Sequence, residues 1–250
     1  MKSSRKAPTM ADVAREAGVS PMTVSRAFKS DAYVNDETRK AILAAAERLG
    51  YVMDSMASGL SSRKTGFVAV TIPSVNNANF ADTIRGLTEG LQEKGLQVLL
   101  GYTSYNLEEE ERLVRQLLTR RPEAIVVTGG KHTEKCRAML ENAGIPVIET
   151  WDIPSDPIDS VVGFSNAEAS AMIVRHLVST GRTKIAFLGG DTSRDTRGFD
   201  RRRGFTRTME QLGLDATRLT EAGPPPISMR EGADAFSRLM QKWPDTEAVV

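Results

Sequence analysis

Residues 9–28 read TMADVAREAGVSPMTVSRAF, and this stretch decides the fold of the first part of the chain. Its first residue, Thr9, is placed to cap a helix, with Asp12 three residues later in the first turn. Gly18 is of the residue type that commonly ends a helix. Ser20 and Pro21 follow almost at once, in the order of an N-cap and a first helical residue. The stretch therefore predicts two short helices joined by a tight turn.

Small and apolar residues recur inside these two helices at the spacing of one buried face. Ala14 is small where the helices would cross, and Val19 and Val24 are placed to fill the space between them. A third start signal at Asn35 is followed by apolar residues at helical spacing up to Gly50. Three helices in this order predict a helix-turn-helix unit whose second helix enters the major groove of DNA.

The exposed face of the second helix carries the side chains that we expect to contact DNA. Arg26 can form two hydrogen bonds with a guanine edge or bind a phosphate, and Met22 and Thr23 offer apolar contact to the methyl group of thymine. Three further candidates suit contacts with phosphates: Ser20, Ser25 and Lys29. Pro21 lies on the same exposed face and completes the candidates of this helix.

Charge is unevenly distributed along the 250 residues, whose formal net charge is +1. Residues 1–64 hold 11 Lys and Arg against 7 Asp and Glu, so a small basic module precedes a mildly acidic remainder. This balance suits a polyanionic partner, although a solvated basic face has the same composition. Cys136 is the only cysteine, which excludes an intramolecular disulfide framework and fits a reducing cytoplasm. No apolar run is long enough for a membrane span, and no secretory signal is recognisable.

From Gly66 onward, short apolar runs alternate with amphipathic stretches. The runs are FVAVTI (67–72), LQVLL (96–100), AIVVT (124–128), IPVIE (145–149) and KIAFL (184–188). They are typical of buried parallel strands, and their alternation with helices predicts doubly wound parallel sheets. The expected helices lie at roughly 79–94, 107–121, 133–143, 166–180, 199–213 and 229–242.

Two further segments bear on the organisation of the chain. Residues 53–64 are rich in serine and small residues and are expected to link the two modules. Residues 247–250 read as the first part of another buried strand, so we expect the second lobe of the α/β region to be incomplete.

The run TMADVAREAGVSPMTVSRAF resembles the DNA-binding headpiece of the LacI/GalR family, and the match continues through VNDETRKAILAAAERLGY. The resemblance implies a homodimer that places two recognition helices on a roughly palindromic double-stranded DNA operator. It also implies a hinge over 54–60, in which Leu60 inserts into a central minor-groove step and Ala57 packs beside it. The family positions expected at the DNA backbone are Asn35, Thr38 and Tyr51, and Thr9 completes the set of DNA-binding candidates.

The hinge departs from the family pattern at three positions. Met53 and Asp54 stand where the family usually has proline and asparagine, and Asp54 would bring a negative charge near phosphate. Gly59 lowers the helix propensity of the hinge by up to ~1 kcal/mol. These residues predict a weaker hinge than is usual in the family.

The α/β region resembles the family's effector domain, which is related to periplasmic sugar-binding proteins and closes two lobes on a ligand. The resemblance is carried by IPSVNNANFADTIRGLTEGLQEKG (72–95) and RDTRGFDRRRGF (194–205). It places Arg201 where many members have a ligand-binding arginine, and a guanidinium there can hold a carboxylate bidentately. The effector-binding candidates by this match are Ser74, Asn79, Phe80, Trp151, Asp152 and Arg201. The segments PVIETWD and DSVVGFSN are most similar to the repressors of gluconate and related sugar-acid operons.

The expected fold is an N-terminal all-α helix-turn-helix headpiece (1–52), a hinge or linker (53–64) and an α/β periplasmic-binding-protein-like effector domain (65–250) with two doubly wound parallel-sheet lobes. The expected function is a transcriptional repressor of a carbohydrate or gluconate-like sugar-acid operon, controlled by a small sugar or sugar acid. We expect a cytoplasmic, nucleoid-associated protein that is not an enzyme and holds no metal or cofactor.

Several residues are expected to be purely structural. His132 and His176 lack metal-ligand spacing and a recognisable serine–aspartate partner order, and Cys136 reads as a packing thiol. Residues 108–111 read as the acidic start of a helix. A solvated basic run is expected for Arg194, Arg197, Arg202 and Arg203.

Two alternative interpretations remain open at this point. The chain could be a sugar-binding α/β protein or an enzyme with an incidental helical cap, or its first sixty residues could form a helical bundle at a protein interface. An activator would have the same features as a repressor, because the difference depends on the position of the operator.

Overall fold

The computed structural model describes residues 7–28, 33–53 and 65–250, and the chain divides into two compact units, residues 1–65 and 66–250. In the described part of the first unit, three helices begin at the predicted caps Thr9, Ser20 and Asn35. These helices are α1 (Met10–Ala17), α2 (Pro21–Ala27) and α3 (Asp36–Leu49). The predicted helix-turn-helix order is confirmed.

The headpiece core lies where the three helices meet. Its buried members are Val13, Ala14, Val24, Ala27, Ile42, Ala45 and Ala46. Gly18 ends α1 with φ +66°, a left-handed conformation in which its N–H donates to the carbonyl groups of Ala14 and Arg15. Glycine adopts this conformation without a steric penalty, so the chain can turn sharply and pack α2 against α1.

The second unit begins with a lobe built on a five-stranded parallel sheet in the order β2-β1-β3-β4-β5. Its strands are β1 (Phe67–Ile72), β2 (Gln97–Tyr102), β3 (Ala124–Thr128), β4 (Val147–Thr150) and β5 (Ser160–Val162). Its helices are α4 (Ala78–Gln92), α5 (Leu107–Thr119) and α6 (Glu134–Glu141).

Alternate residues of β1 face two different cores, as expected for a strand with period two. Ala69 packs in one core with residues of α5 and α6, including Val114 and Leu140. Val70 packs in the other core with Phe80 of α4. Helices therefore cover both faces of the sheet, which confirms the doubly wound arrangement.

The second lobe holds three parallel strands in its described residues, in the order β7-β6-β8. Its elements are α7 (Asn166–Ser179), β6 (Ile185–Gly189), α8 (Thr196–Gln211), β7 (Leu219–Glu221), α9 (Met229–Lys242) and β8 (Ala248–Val249). Phe205 and Met209 of α8 are fully buried against β6. The crossing of α7 and α8 is close at Gly204, where an added Cβ would overlap the carbonyl group of Ala167.

The structure differs from the sequence-based expectation in two ways that bear on function. Strands β5 and β7 were not predicted, because they are only three residues long and form by pairing with β4 and β6. Helix α8 begins at Thr196, three residues before the expected start, so Arg197 lies in its first turn. Among the described residues, no helix combines the length and apolar character needed to cross a membrane.

Candidate functional site

The exposed face of α2 carries the predicted base-reading residues. Met22 is 64% exposed, and Pro21 and Arg26 are also exposed, whereas Val24 and Ala27 point into the core. This division follows from the helical period, which turns one face to the core and leaves the other to solvent. The geometry therefore leaves these three side chains accessible to an external partner.

The hydroxyl groups at the start of α2 are engaged with the helix itself. Ser20 Oγ accepts a hydrogen bond from the backbone N–H of Thr23 at 3.2 Å, and the two hydroxyl oxygens lie 2.9 Å apart. Ser20 thus satisfies a free amide of the first turn while its side chain stays at the surface. Ser25 is half-buried on the same helix.

The remaining DNA-binding candidates of the headpiece have identifiable local contacts. Thr9 donates its hydroxyl to Asp12 at 2.6 Å, and hydrogen bonds from Thr9 hold the pKa of Asp12 below its usual value. Asn35 accepts from the backbone N–H of Glu37, and Thr38 is half-buried in the first turn of α3. Tyr51 packs edge-on against Phe28 at the end of α3. Lys29, Ala57, Leu60 and the predicted hinge at 54–60 lie outside the described residues, and of the predicted linker at 53–64 only Met53 is described.

A narrow cleft lies between the two lobes of the α/β unit, at the carboxyl ends of the first three strands. The volume that it encloses is only ≈ 30 Å³. One wall follows the strand ends at Pro73, Thr103 and Thr128, and the other is the start of α8 at Thr196 and Arg197. Open parallel sheets generally bind ligands at this edge.

A second cleft, which encloses ≈ 310 Å³, opens beside the first and shares Lys131 with it. It is lined by Asp152 after β4, by Asn166 at the start of α7 and by Asp200 on α8. Lys131 lies 3.6 Å from Asp200 and over the ring of Phe199, so it contacts the second lobe from the first.

Of the effector-binding candidates, Asp152 alone lines one of these two clefts in the described residues. Phe80 is buried and packs edge-on against Trp151, with ring centres 5.6 Å apart. The Trp151 indole donates to the hydroxyl of Thr83 at 3.1 Å. Both rings therefore support the wall of the first lobe.

The other two first-lobe candidates are Ser74 and Asn79. Ser74 is buried, and its hydroxyl accepts from the backbone N–H of Asn76 at 3.2 Å. Asn79 is exposed in the first turn of α4. Neither side chain lines the two clefts.

Arg201 joins the two lobes through a chain of hydrogen bonds. Its guanidinium donates to Asp195 Oδ2 and to Asn166 Oδ1, both at 2.9 Å. Asn166 in turn donates to Asp152 Oδ1 at 3.3 Å and to the carbonyl group of Trp151 at 3.0 Å. The predicted ligand-binding arginine is thus already paired with a carboxylate, and neither cleft is lined by it.

Arg197 corrects the expectation of a solvated basic run. It is only 8% exposed, because the early start of α8 turns it into the interlobe cleft. The other members of the run have surface partners: Arg194 donates to the carbonyl of Ser104, Arg202 pairs with Glu221, and Arg203 pairs with Asp200. Sequence reasoning missed the burial of Arg197, because a run of arginines does not reveal which of their side chains points into the protein.

A buried charge network in the first lobe was also missed. The His132 side chain is 1% exposed, its Nδ1 lies 2.8 Å from Glu110 Oε2, and its Nε2 lies 3.5 Å from Glu149 Oε1. Glu110 lies in the first turn of α5, as the predicted acidic start of a helix requires, and it is only 3% exposed. The backbone N–H of Ile158 donates to the other oxygen of Glu149 at 2.7 Å.

The network includes donor atoms of the kind that bind metals. Atoms of Glu110, His132 and Cys136 all lie within 4.8 Å of one another. The 2.8 Å between Nδ1 and Oε2 is a hydrogen-bond distance, and two ligands of a tetrahedral zinc ion lie about 3.3 Å apart. We therefore assign the group as a hydrogen-bonded charge network.

The network makes stability depend on pH. Burial by itself lowers the pKa of His132, but Cys136, Glu110 and Glu149 outweigh it and raise that pKa from 6.5 to about 11. The stabilising contribution of the folded imidazolium is therefore complete below pH 6.5 and is lost as the pH rises toward 11. Above pH 6.5 we expect the free energy of unfolding to fall by up to ~1.4 kcal/mol per pH unit from this group.

Urea unfolding between pH 6.5 and 8.5 measures this slope. His132→Gln should remove it, whereas the same change at the exposed His176 should leave it in place. An equal slope in the His132→Gln variant would contradict the assignment.

A helix-turn-helix headpiece followed by a two-lobed α/β unit with an interlobe cleft defines the class of ligand-responsive DNA-binding regulators. Residues 9–54 match the model of the bacterial regulatory proteins of the lacI family. Residues 32–250 match the model of the periplasmic binding proteins and sugar binding domain of the LacI family. The chain belongs to the LacI family of transcriptional regulators.

Individual relatives agree with this assignment. The transcriptional regulator GntR of Pseudomonas aeruginosa is 36% identical over 242 residues, which cover 97% of this chain and 70% of that protein. GntR of Escherichia coli (strain K12) is 32% identical over 210 residues, and the match spans 84% of this chain and 63% of that protein. A LacI-family regulator from Silicibacter pomeroyi, known from a crystal structure, superposes with a TM-score of 0.90 at 33% identity, covering 97% of this chain and 72% of that one.

Proposed function

We propose that this protein is a repressor that binds a roughly palindromic operator as a homodimer, in the cytoplasm and on the nucleoid, and is controlled by a small sugar or sugar acid. The observation that carries the proposal is the exposed face of α2, where Arg26 and Met22 stand free of the core that holds the helix in place. Two such helices in a dimer would read two half-sites about one helical turn apart.

Control by a ligand requires that the ligand bind one conformation of the repressor more tightly than another. The interlobe contacts give such a difference a physical basis. Arg194 donates across the cleft to Ser104, and the hydrogen bonds of Asn166 join α7 to the end of β4. A ligand in the cleft would add contacts only when the lobes are close together, so it would shift their relative populations. The same chain would act by binding, with no chemical step.

The operator can be found by selection from a pool of random duplex DNA at fixed salt, because phosphate contacts make affinity depend strongly on salt. We expect an enriched sequence with two inverted half-sites. Enrichment of no sequence, or equal affinity for selected and random duplexes, would refute the proposed function.

Arg26→Ala should weaken binding to the selected operator by about 1–3 kcal/mol, which is about 5- to 150-fold. The effect on random duplex should be smaller, because a base contact adds specificity and a phosphate contact adds general affinity. Mobility-shift titrations of both duplexes measure the two losses. Arg48→Ala is the matched control, since Arg48 is exposed in the same headpiece and is paired with Glu16. Equal losses in the two variants would exclude base recognition by Arg26.

A further inference from the structure

A groove lies along the outer side of α8, opposite the face that packs against β6. Six positions of α8 form its floor: 199, 202, 203, 206, 207 and 210. Their spacing of three or four residues places them on one side of the helix. Thr192, before the helix, and Leu219, in β7, complete the lining of what we call the α8 groove. It encloses ≈ 520 Å³, a volume within the ordinary range of small-molecule sites, and all of its lining belongs to the second lobe.

Three arginines line the α8 groove, and each has N–H donors left for a ligand. Arg202 pairs with Glu221 through one nitrogen. Arg203 pairs with Asp200 in the same way. An arginine has five N–H donors, so both side chains retain free ones. Arg207 is exposed, and no hydrogen bond or ion pair engages its side chain within the part of the chain that the structure describes.

Arg203 and Arg207 are four residues apart, so they are neighbours of like charge on the surface of the helix. Such a pair weakens a helix, and an anion between the two side chains replaces the repulsion with two attractions. A phosphate group suits this position, since it has three terminal oxygens and carries close to two negative charges at pH 7. It can accept from both guanidinium groups, whereas a carboxylate is satisfied by one. The lining itself holds three arginines against one acid, Glu210, which favours an anionic ligand.

An exposed aromatic ring adjoins these arginines. Phe199 lies about one turn of α8 before Arg203, and it is 43% exposed although the Lys131 ammonium lies 5.0 Å from its ring centre. Nucleic-acid bases stack on aromatic side chains of this kind, because every base has a flat π face. The point midway between Arg203 and Arg207 is about 9 Å from Phe199 along the helix axis, a separation that a base and a phosphate joined by a ribose can span.

From these observations we propose that the α8 groove binds a nucleoside monophosphate, with the phosphate between Arg203 and Arg207 and the base on Phe199. The hydroxyl groups of Thr192 and Thr206 also line the groove and can donate to the phosphate or to the ribose. This ligand is separate from the sugar or sugar acid proposed for the interlobe cleft, so the second lobe has a binding site of its own.

Isothermal titration of the full chain at fixed salt with three probes tests the ligand class. AMP has both a base and a phosphate, adenosine has the base without the phosphate, and inorganic phosphate has no base. We expect AMP to bind at least about 10-fold more tightly than either of the others, because a charged hydrogen bond and a stacked base each contribute about that factor. Binding of adenosine or of inorganic phosphate as tight as that of AMP, or no binding of AMP at millimolar concentration, would overturn the proposal.

Variants locate the ligand in the α8 groove. Arg203 also lines the second interlobe cleft, so Arg207 is the arginine that tests the groove by itself. Arg207→Gln should weaken AMP binding by about 10-fold and leave adenosine binding unchanged, while Phe199→Ala should weaken the binding of both. Arg230→Gln, at an exposed arginine of α9, removes the same charge away from the groove and should change neither affinity. An AMP affinity that is unchanged in Arg207→Gln or in Phe199→Ala would overturn the assignment.

Thermal unfolding separates a binding role from a structural one. Without ligand, Arg207→Gln should melt close to the wild type, because the side chain is exposed, and AMP should raise its melting temperature less than that of the wild type. A lowered melting temperature with an intact AMP-induced rise would assign Arg207 a structural role and overturn the proposal. If the chain selects an operator but binds no AMP, only the assignment of the α8 groove falls. If it binds AMP in the groove but selects no operator, the proposed function falls and the groove assignment stands.

Discussion

His132→Ala is expected to lower the free energy of unfolding by about 3–5 kcal/mol, the usual cost of removing one partner from a buried ion network. The change leaves Glu110 and Glu149 buried at 3% and 0% exposure without the imidazolium between them. Each carboxylate must then stay buried and charged without a cationic partner, or take up a proton. Neither alternative restores the stability of the intact network.

Urea unfolding at pH 6.5 measures this loss through Trp151 and Trp243, both of which lie in the α/β unit. His176→Ala is the control, because His176 is exposed and its loss should cost less than about 0.5 kcal/mol. The double variant His132→Ala with Glu149→Gln should recover part of the stability, since a neutral amide replaces an unpaired charge. A loss below about 1 kcal/mol for His132→Ala would contradict the network.

Gly204→Ala is expected to lower the free energy of unfolding by about 2–3 kcal/mol, near the upper end for an overpacked site. Gly204 lies where α8 crosses α7, and its added methyl group would overlap the backbone carbonyl of Ala167. A backbone group cannot rotate aside as a side chain can, so the two helices must separate. Because α8 also carries Phe205 and Met209 into the core, the separation would loosen the second lobe.

Gly232→Ala is the matched control for this prediction. Gly232 also lies within a helix, α9, but an added Cβ there meets no atom within 4 Å. Alanine should therefore stabilise this position by up to ~1 kcal/mol through its higher helix propensity. The same substitution should thus have opposite signs at the two sites, and equal effects would show that the helix crossing at Gly204 is not close.

The headpiece illustrates what can be predicted from local sequence. Thr9, Ser20 and Asn35 begin the three helices as expected, and Gly18 ends the first in the left-handed conformation. Each of these signals acts between residues a few positions apart, so it needs no knowledge of the rest of the molecule. The exposure of Met22 and Arg26 follows from the same helical period.

The interlobe cleft illustrates the limits of that reasoning. The sequence and its family resemblance selected Arg201, which the folded chain pairs with Asp195 and Asn166. Arg197, four residues earlier on the same helix, lines the cleft and has no hydrogen bond or ion pair among the described residues. One turn of α8 separates them, so the choice depends on where the helix begins and how it faces the opposite lobe.

The sequence by itself determined the helix-turn-helix headpiece, the alternation of strands and helices, and the family. Those features rest on caps, turns and periodic apolar residues, which are local. The tertiary structure alone decided which charges are buried and what faces them. Glu110 lies in α5, His132 in the loop before α6 and Glu149 in β4, and their meeting depends on the packing of α5 against the sheet. The exposed recognition helix could therefore be recognised from its residues, whereas the buried Arg197 and His132 became visible only in the folded chain.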